Sequence, residues 1–212
     1  MTPAPQPPLA PAPFDAVLCD FDGVIRHFDQ SAVAVLERSA GLAEGSTYAA
    51  AFAPEHAQPL ILGRLTRAEW TDRIAVSLTV HTPGPTARAL AAAFTTTPVH
   101  ADPDVVALLR EVRRRVPLVL VTNGTPWTDQ GLTDLALTDL AHHVVNSARL
   151  GIAKPDPGIY HHAATLVGAA PDRCLFIDDS PKNVTAATAL GMTAHHYRTP
   201  AGLATALAPL LG

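Results

Sequence analysis

Short unbroken apolar runs with helix-like stretches between them predict an α/β fold, a parallel sheet with helices on both faces. The runs are Val17-Leu18-Cys19, Pro117-Leu118-Val119-Leu120-Val121, Val144-Val145 and Cys174-Leu175-Phe176-Ile177. Continuous apolarity of this kind marks strands covered on both faces. A second observation is the rhythm, because helix-like stretches separate the later runs and so define βαβ units. A third is a gap of about 75 residues after Asp22-Gly23 with no comparable run, which reads as a helical insertion after the first strand. The class is a Rossmann-like sheet carrying a helical insertion after its first strand.

The elements follow in order. Residues 1–13 are dense in Pro, lack the basic and apolar regions of a signal peptide, and are expected to be a flexible lead-in. The insertion, residues 27–97, contains helical patterns over Ser31–Ser39, Thr47–Phe52, Thr66–Leu78 and Pro85–Phe94, punctuated by Gly41, Gly45, Gly63 and Gly84. Thr66 and Glu69 have the spacing of a capping box. Residues 14–26 and 98–212 form the expected core, with helices over Asp104–Arg115, Thr128–Leu140, Pro157–Val167 and Pro181–Leu190. Arg113, Arg114 and Arg115 close one of these, where cations complement the negative end of the helix dipole. Met192–Tyr197 reads as an edge strand and Ala201–Leu211 as a closing helix.

Composition excludes several classes. A net charge of −4 and a pI near 6.2 argue against a nucleic-acid or anionic-membrane surface. Charged residues are 16% of the chain, below the usual ~25%, so the surface is sparse in charge. The two cysteines, Cys19 and Cys174, lie in or beside apolar runs and read as small buried hydrophobes. No apolar stretch reaches the ~18 residues of a membrane span. A cytoplasmic protein, monomer or homodimer, is the expectation.

In open parallel sheets, ligands bind beyond the carboxyl ends of the strands. The residues delivered there are Asp20-Phe21-Asp22-Gly23, Thr122-Asn123-Gly124-Thr125, Lys154-Pro155-Asp156-Pro157 and Asp178-Asp179-Ser180. Carboxylates gathered this closely repel unless they bind a cation or a proton. Oxygen ligands of this kind suit Mg²⁺. A carboxylate can also attack phosphorus to give an aspartyl-phosphate, provided that a cation and Lys154 screen the repulsion. Thr122 and the amides around Asn123 and Gly124 can hold phosphoryl oxygens. A second acid two residues from the first can move the proton of the leaving group.

Taken together, these segments resemble the haloacid dehalogenase-like hydrolase superfamily, from Phe14 onward. Asp20-Phe21-Asp22-Gly23-Val24-Ile25 is similar to its first motif, Leu120–Gly124 to its second, Lys154–Pro157 to its third, and Phe176–Ser180 with Asn183 to its fourth. The resemblance implies that Asp20 is the nucleophile, Asp22 the general acid/base, Thr122 a phosphoryl ligand and Lys154 a charge neutraliser. It implies Mg²⁺ ligation by Asp20, the Asp22 carbonyl and Asp178, with Asp179 a further ligand or a partner for Lys154. The insertion resembles the small cap of the first subfamily, since only 31 residues separate Thr122 from Lys154.

The resemblance also orders the activities. Dehalogenases proper lack the second acid of the first motif, so Asp22 argues against dehalogenation. It implies a phosphatase acting on a small phosphate ester, because a cap restricts access. A sugar phosphomutase, or a binding module that keeps the motifs, is the alternative. Outside the motifs, Arg26, His27 and Trp127 are candidates for the pocket mouth, and Arg64, Arg67 and Trp70 lie on the cap. The pairs His142-His143, His161-His162 and His195-His196 read as solvated or packed histidines, because neighbours in sequence face different ways.

Overall fold

A computed structural model describes residues 13–211. The Pro-rich lead-in therefore falls almost wholly outside the described residues. Five parallel strands make the central sheet, in the order β5-β4-β1-β6-β7. They are β1 (Ala16–Cys19), β4 (Leu118–Thr122), β5 (His143–Asn146), β6 (Cys174–Asp178) and β7 (Thr193–His196). Every residue of β1, β4 and β6 is buried, as their unbroken apolar character requires.

Side chains of these strands alternate between two cores. Val17, Cys19, Leu118, Leu120, Leu175 and Ile177 face one side. There they pack on α6 (Pro103–Arg113) and α11 (Pro200–Leu211) through Leu109 and Leu207. Leu18, Val119, Val121 and Phe176 face the other, against α9 (Pro157–Leu166) and α10 (Pro181–Ala189) through Ile159, Tyr160 and Ala187. The two-residue period of a strand puts alternate residues into opposite layers.

Between β1 and β4 the chain builds a separate helical layer. It leaves along β2 (Arg26–Phe28) and returns along β3 (Val99–Ala101), which pair as an antiparallel ribbon. Between them lie α1 (Ser31–Ser39), α2 (Ser46–Ala51), α3 (Pro54–Ile61), α4 (Arg67–Leu78) and α5 (Gly84–Thr95). Val33, Ala51, Leu60, Ile74, Leu78 and Leu90 give this layer its own apolar cluster. The Thr66 capping box is present, with the Glu69 amide donating to Thr66 Oγ1 at 3.2 Å and the Thr66 amide to Glu69 Oε2 at 2.8 Å. The Ser147 hydroxyl, at the start of α8 (Ser147–Leu150), donates to the Ile61 carbonyl at 2.6 Å and ties the layer to the sheet.

Several elements depart from the pattern read in the sequence. Helix α3 was not anticipated, because Pro59 sits in its interior and an interior Pro removes the amide that would bond four residues back. That carbonyl belongs to Glu55, and Arg73 Nη1 donates to it at 3.4 Å. The β2–β3 ribbon carries no apolar alternation, so its pairing is invisible locally. The helix expected over Thr128–Leu140 is only α7 (Thr128–Asp134). Ala136 takes a left-handed conformation, φ 54°, and the Leu137 amide turns back to the Leu132 carbonyl at 2.8 Å. The chain then reaches β5 with Leu137 and Leu140 still buried.

Candidate active site

At the carboxyl ends of β1, β4 and β6 the residues picked out in the sequence converge. Lys154 is at the centre, with its side chain wholly buried. Its ammonium donates to the Val121 carbonyl at 2.7 Å and Asp178 Oδ2 at 2.7 Å, and pairs with Asp20 Oδ1 at 2.8 Å. An ammonium has three protons, so these partners use all of them. Of the two roles open for Asp179, partnership with Lys154 is thus already taken by Asp20 and Asp178.

Each anchor is itself anchored. Asp20 Oδ1 also accepts from the Phe21 amide at 2.7 Å, so both donors converge on that oxygen and Oδ2 is left to face the site. Asp178 Oδ1 accepts from the Ser180 amide at 2.8 Å and from Asn183 Nδ2 at 3.0 Å. Asn183 thereby orients Asp178, and the Tyr160 hydroxyl donates to the Asn183 carbonyl at 3.1 Å. The Asn123 side chain clamps Lys154: its Nδ2 donates to the Lys154 carbonyl at 2.9 Å, and the Lys154 amide donates back at 2.8 Å. That amide group is committed to the protein, so any ligand contact by Asn123 falls to its backbone.

Two glycines are required by the geometry. A Cβ on Gly124 would lie 2.5 Å from Thr128 Oγ1 and 2.9 Å from Asn146 Oδ1. Gly23 has φ +85°, and a Cβ there would lie 2.2 Å from Asp179 Oδ2. The turn after the first acid therefore presses directly on the carboxylate after β6.

Two features mark where a ligand would go. Thr122 Oγ1, at the end of β4, is buried and has no hydrogen-bond partner, and Thr125 Oγ1 shares that condition. A buried unpaired hydroxyl is costly, and a phosphoryl oxygen would satisfy it. Asp20, Asp178 and Asp179 bring carboxylate oxygens within 4.8 Å of one another, a set of hard oxygen donors fit for Mg²⁺. Asp22 is not in that cluster. Its side chain is held by Arg26 through two hydrogen bonds, Nε to Oδ1 at 2.6 Å and Nη2 to Oδ2 at 2.9 Å. The sequence reading had placed Arg26 only at the pocket mouth. Four residues apart but not on a helix, the pair carries no local signature.

Electrostatics follow from one cation among several acids. Burial would lower the Lys154 ammonium, but Asp20 and Asp178 outweigh it and hold it above its ordinary value. Burial pushes Asp20 up to about 8, with Lys154 opposing and Asp178 adding to the rise. One ammonium cannot neutralise two buried carboxylates, so without a second cation Asp20 takes a proton. A raised carboxyl stabilises the fold fully below its unfolded pKa, ~4, and loses that contribution as pH rises through about 8. Chelated protein is expected to fall in Tm between about pH 4 and pH 8, and Mg²⁺ to raise Tm most at the alkaline end. A Tm that is flat over this range, with and without Mg²⁺, would contradict both the raised carboxyl and the cation fit.

Beside this cluster a cavity of about 560 Å³ opens between the sheet and the helical layer. Asp22, Asn123 and Asp179 touch its floor, and Arg26, Arg67, Trp70 and Trp127 contribute to its walls. Arg64 and His27 are not among the lining residues.

Comparisons with known proteins agree with the geometry. A phosphoserine phosphatase of Thermus thermophilus is 39% identical over 97 residues, covering 43% of this chain and 38% of the relative. A sesquiterpene phosphatase of Aspergillus oryzae is 30% identical over 127 residues, covering 58% of this chain and 65% of the relative. The chain thus matches less than two thirds of the length of either. An enzyme of the haloacid dehalogenase family from Bacteroides thetaiotaomicron, solved with magnesium and inorganic phosphate, shares the fold at TM-score 0.66. It is 19% identical and covers 87% of this chain and 94% of its own. The family model for haloacid dehalogenase-like hydrolase matches residues 14–191. This chain belongs to the haloacid dehalogenase-like hydrolase family.

Proposed function

We propose that this hydrolase is a Mg²⁺-dependent phosphatase acting through an aspartyl-phosphate on Asp20, with residues 27–97 as its cap. The observation that carries the reading is the buried Lys154 bridging Asp20 and Asp178 beside an unpaired Thr122 hydroxyl. An anionic ester needs such a positive, donor-bearing pocket before a carboxylate can approach it. The relatives named as phosphatases support the same reading.

Asp20 Oδ2 attacks phosphorus, and the ester P–O bond breaks as Asp22 gives a proton to the leaving oxygen. Water then attacks the same phosphorus, Asp22 takes its proton, and the bond to Asp20 breaks. Lys154 holds Asp20 in place, and Thr122 Oγ1 donates to a phosphoryl oxygen. Asp20, Asp178 and Asp179, with the Asp22 backbone carbonyl, would hold Mg²⁺, which would neutralise charge on the phosphoryl group. To reach the leaving oxygen, Asp22 has to leave the Arg26 fork.

The test is phosphate release from p-nitrophenyl phosphate with Mg²⁺, stopped by EDTA. Asp22→Asn separates the steps, because nitrophenol leaves without much help from an acid. The variant is expected to give a burst of nitrophenol, slow turnover afterwards and a hydroxylamine-sensitive phosphoenzyme. A steady-state rate equal to that of the unmodified protein would remove Asp22 from the mechanism. A phosphomutase would instead interconvert sugar phosphates under a bisphosphate activator, releasing little phosphate.

A further inference from the structure

The chain is poor in aromatic residues, at 5% of its length, yet six of its eleven line the cavity that touches the acidic cluster. Tyr48, Phe52, Trp70, Phe94 and Trp127 make a continuous wall, and Phe28 belongs to the same lining. Ring centroids step from Tyr48 to Phe52 at 4.7 Å, Phe52 to Trp70 at 5.8 Å and Trp70 to Trp127 at 6.1 Å. The wall ends at Trp127, five residues beyond the unpaired Thr122 hydroxyl. Core packing does not explain it, because Phe28, Tyr48 and Phe52 remain 46%, 55% and 40% exposed. Apolar surface gathered in a concave site next to reactive groups marks ligand binding.

Several polar groups in the same cavity are committed, while the Thr125 hydroxyl stays unpaired. Hydroxyls of Thr95, Thr96 and Thr97 donate to the carbonyls of Ala91, Ala92 and Ala93 at 3.0, 2.8 and 3.1 Å. The Arg26 fork is closed on Asp22. Arg67 lies over the face of Trp127, 4.9 Å from its centroid. A sugar ring or a charged amino acid placed along the aromatic rings would lose water and regain few hydrogen bonds. An alkyl or ring-bearing chain loses nothing of the kind, and about 560 Å³ is ample for one.

We infer that the substrate is a phosphate monoester of an extended apolar alcohol, with its phosphoryl group at Thr122 and Lys154 and its chain along the aromatic wall. This rests on the phosphatase reading for turnover, while binding along the wall stands independently of it. Each methylene that enters the wall should add roughly two- to fourfold to affinity.

The test uses the full chain with Mg²⁺ and two readouts. Turnover is measured on p-nitrophenyl phosphate first, then on n-alkyl phosphates from ethyl to octyl, with phosphoserine and glucose 6-phosphate as comparators. Binding is measured with methyl- and octylphosphonate by intrinsic fluorescence, since both tryptophans of the chain line the cavity. The expected result is a kcat/KM that climbs on the order of 10²-fold or more from ethyl to octyl, above both comparators, with octylphosphonate binding tighter by a similar factor. Phe52→Ser and Tyr48→Ser, at half-exposed positions, should flatten that slope. Turnover on p-nitrophenyl phosphate with no dependence on chain length, or a preference for phosphoserine or glucose 6-phosphate, overturns the inference and leaves the phosphatase reading standing. No turnover on any ester, with octylphosphonate still favoured over methylphosphonate, does the reverse. A flat slope together with a dimer that Phe52→Ser converts to monomer would assign the wall to a second copy and overturn it.

Discussion

Asp20→Asn is expected to abolish phosphate release, a loss on the order of 10⁴- to 10⁶-fold in kcat, while the fold survives. The amide keeps the shape of the carboxyl group and still accepts from Lys154 and Phe21 through its oxygen. What it removes is the free anionic oxygen that forms the bond to phosphorus. Stability should rise at alkaline pH, because a buried carboxyl whose pKa is raised to about 8 no longer has to ionise there. The measurement pairs phosphate release with thermal unfolding at about pH 8.5 and a search for phosphoenzyme by hydroxylamine trapping. A trapped phosphoenzyme in this variant would mean that another group attacks phosphorus.

Lys154→Met carries the second large effect, and it falls on folding as well as turnover. Methionine matches the length of the lysine stem but leaves Asp20 and Asp178 facing each other with no cation between them. Removing one partner from a buried ion pair typically costs about 3–5 kcal/mol. Asp20 can relieve part of that by taking a proton, so the deficit should be smaller at about pH 5 than at about pH 8. Adding Asp20→Asn to Lys154→Met should recover part of the lost stability, a coupling read directly by a double-mutant cycle. Turnover should fall at least 10³-fold, since the ammonium that holds Asp20 and would screen phosphoryl charge is gone. A variant with unchanged denaturant midpoint at both pH values would show that Lys154 does not hold the two carboxylates together.

The sheet was legible because its evidence is local. Unbroken apolar runs at β1, β4 and β6 can be satisfied only between two helical layers, and each run ends on the polar residues of the site. Helices α1 and α9 were equally plain as helix-like stretches, and in the structure Asp156 caps α9 by accepting from the Gly158 amide at 2.8 Å. Helix α3 was hidden by Pro59, whose missing amide is compensated by Arg73, a residue from another helix. The end of α7 rests on one left-handed alanine, and alanine gives no warning of that conformation.

The site divides along the same line. By itself the sequence determined which residues arrive at the sheet's carboxyl edge, since strand period and strand ends set that, and it determined the chemistry their types allow. Only the tertiary structure decided which of them touch. Lys154 spends its protons on Asp20, Asp178 and Val121, Asn123 is a clamp on Lys154, and Asp22 rests in the fork of Arg26. The aromatic wall draws on α2, α4, α5, β2 and the loop after β4, so no window of sequence contains it. The reason is physical: hydrogen bonds and ring contacts act over a few ångströms in space. Residues 24 to 134 positions apart come within that range only after the sheet and the helical layer have closed on each other.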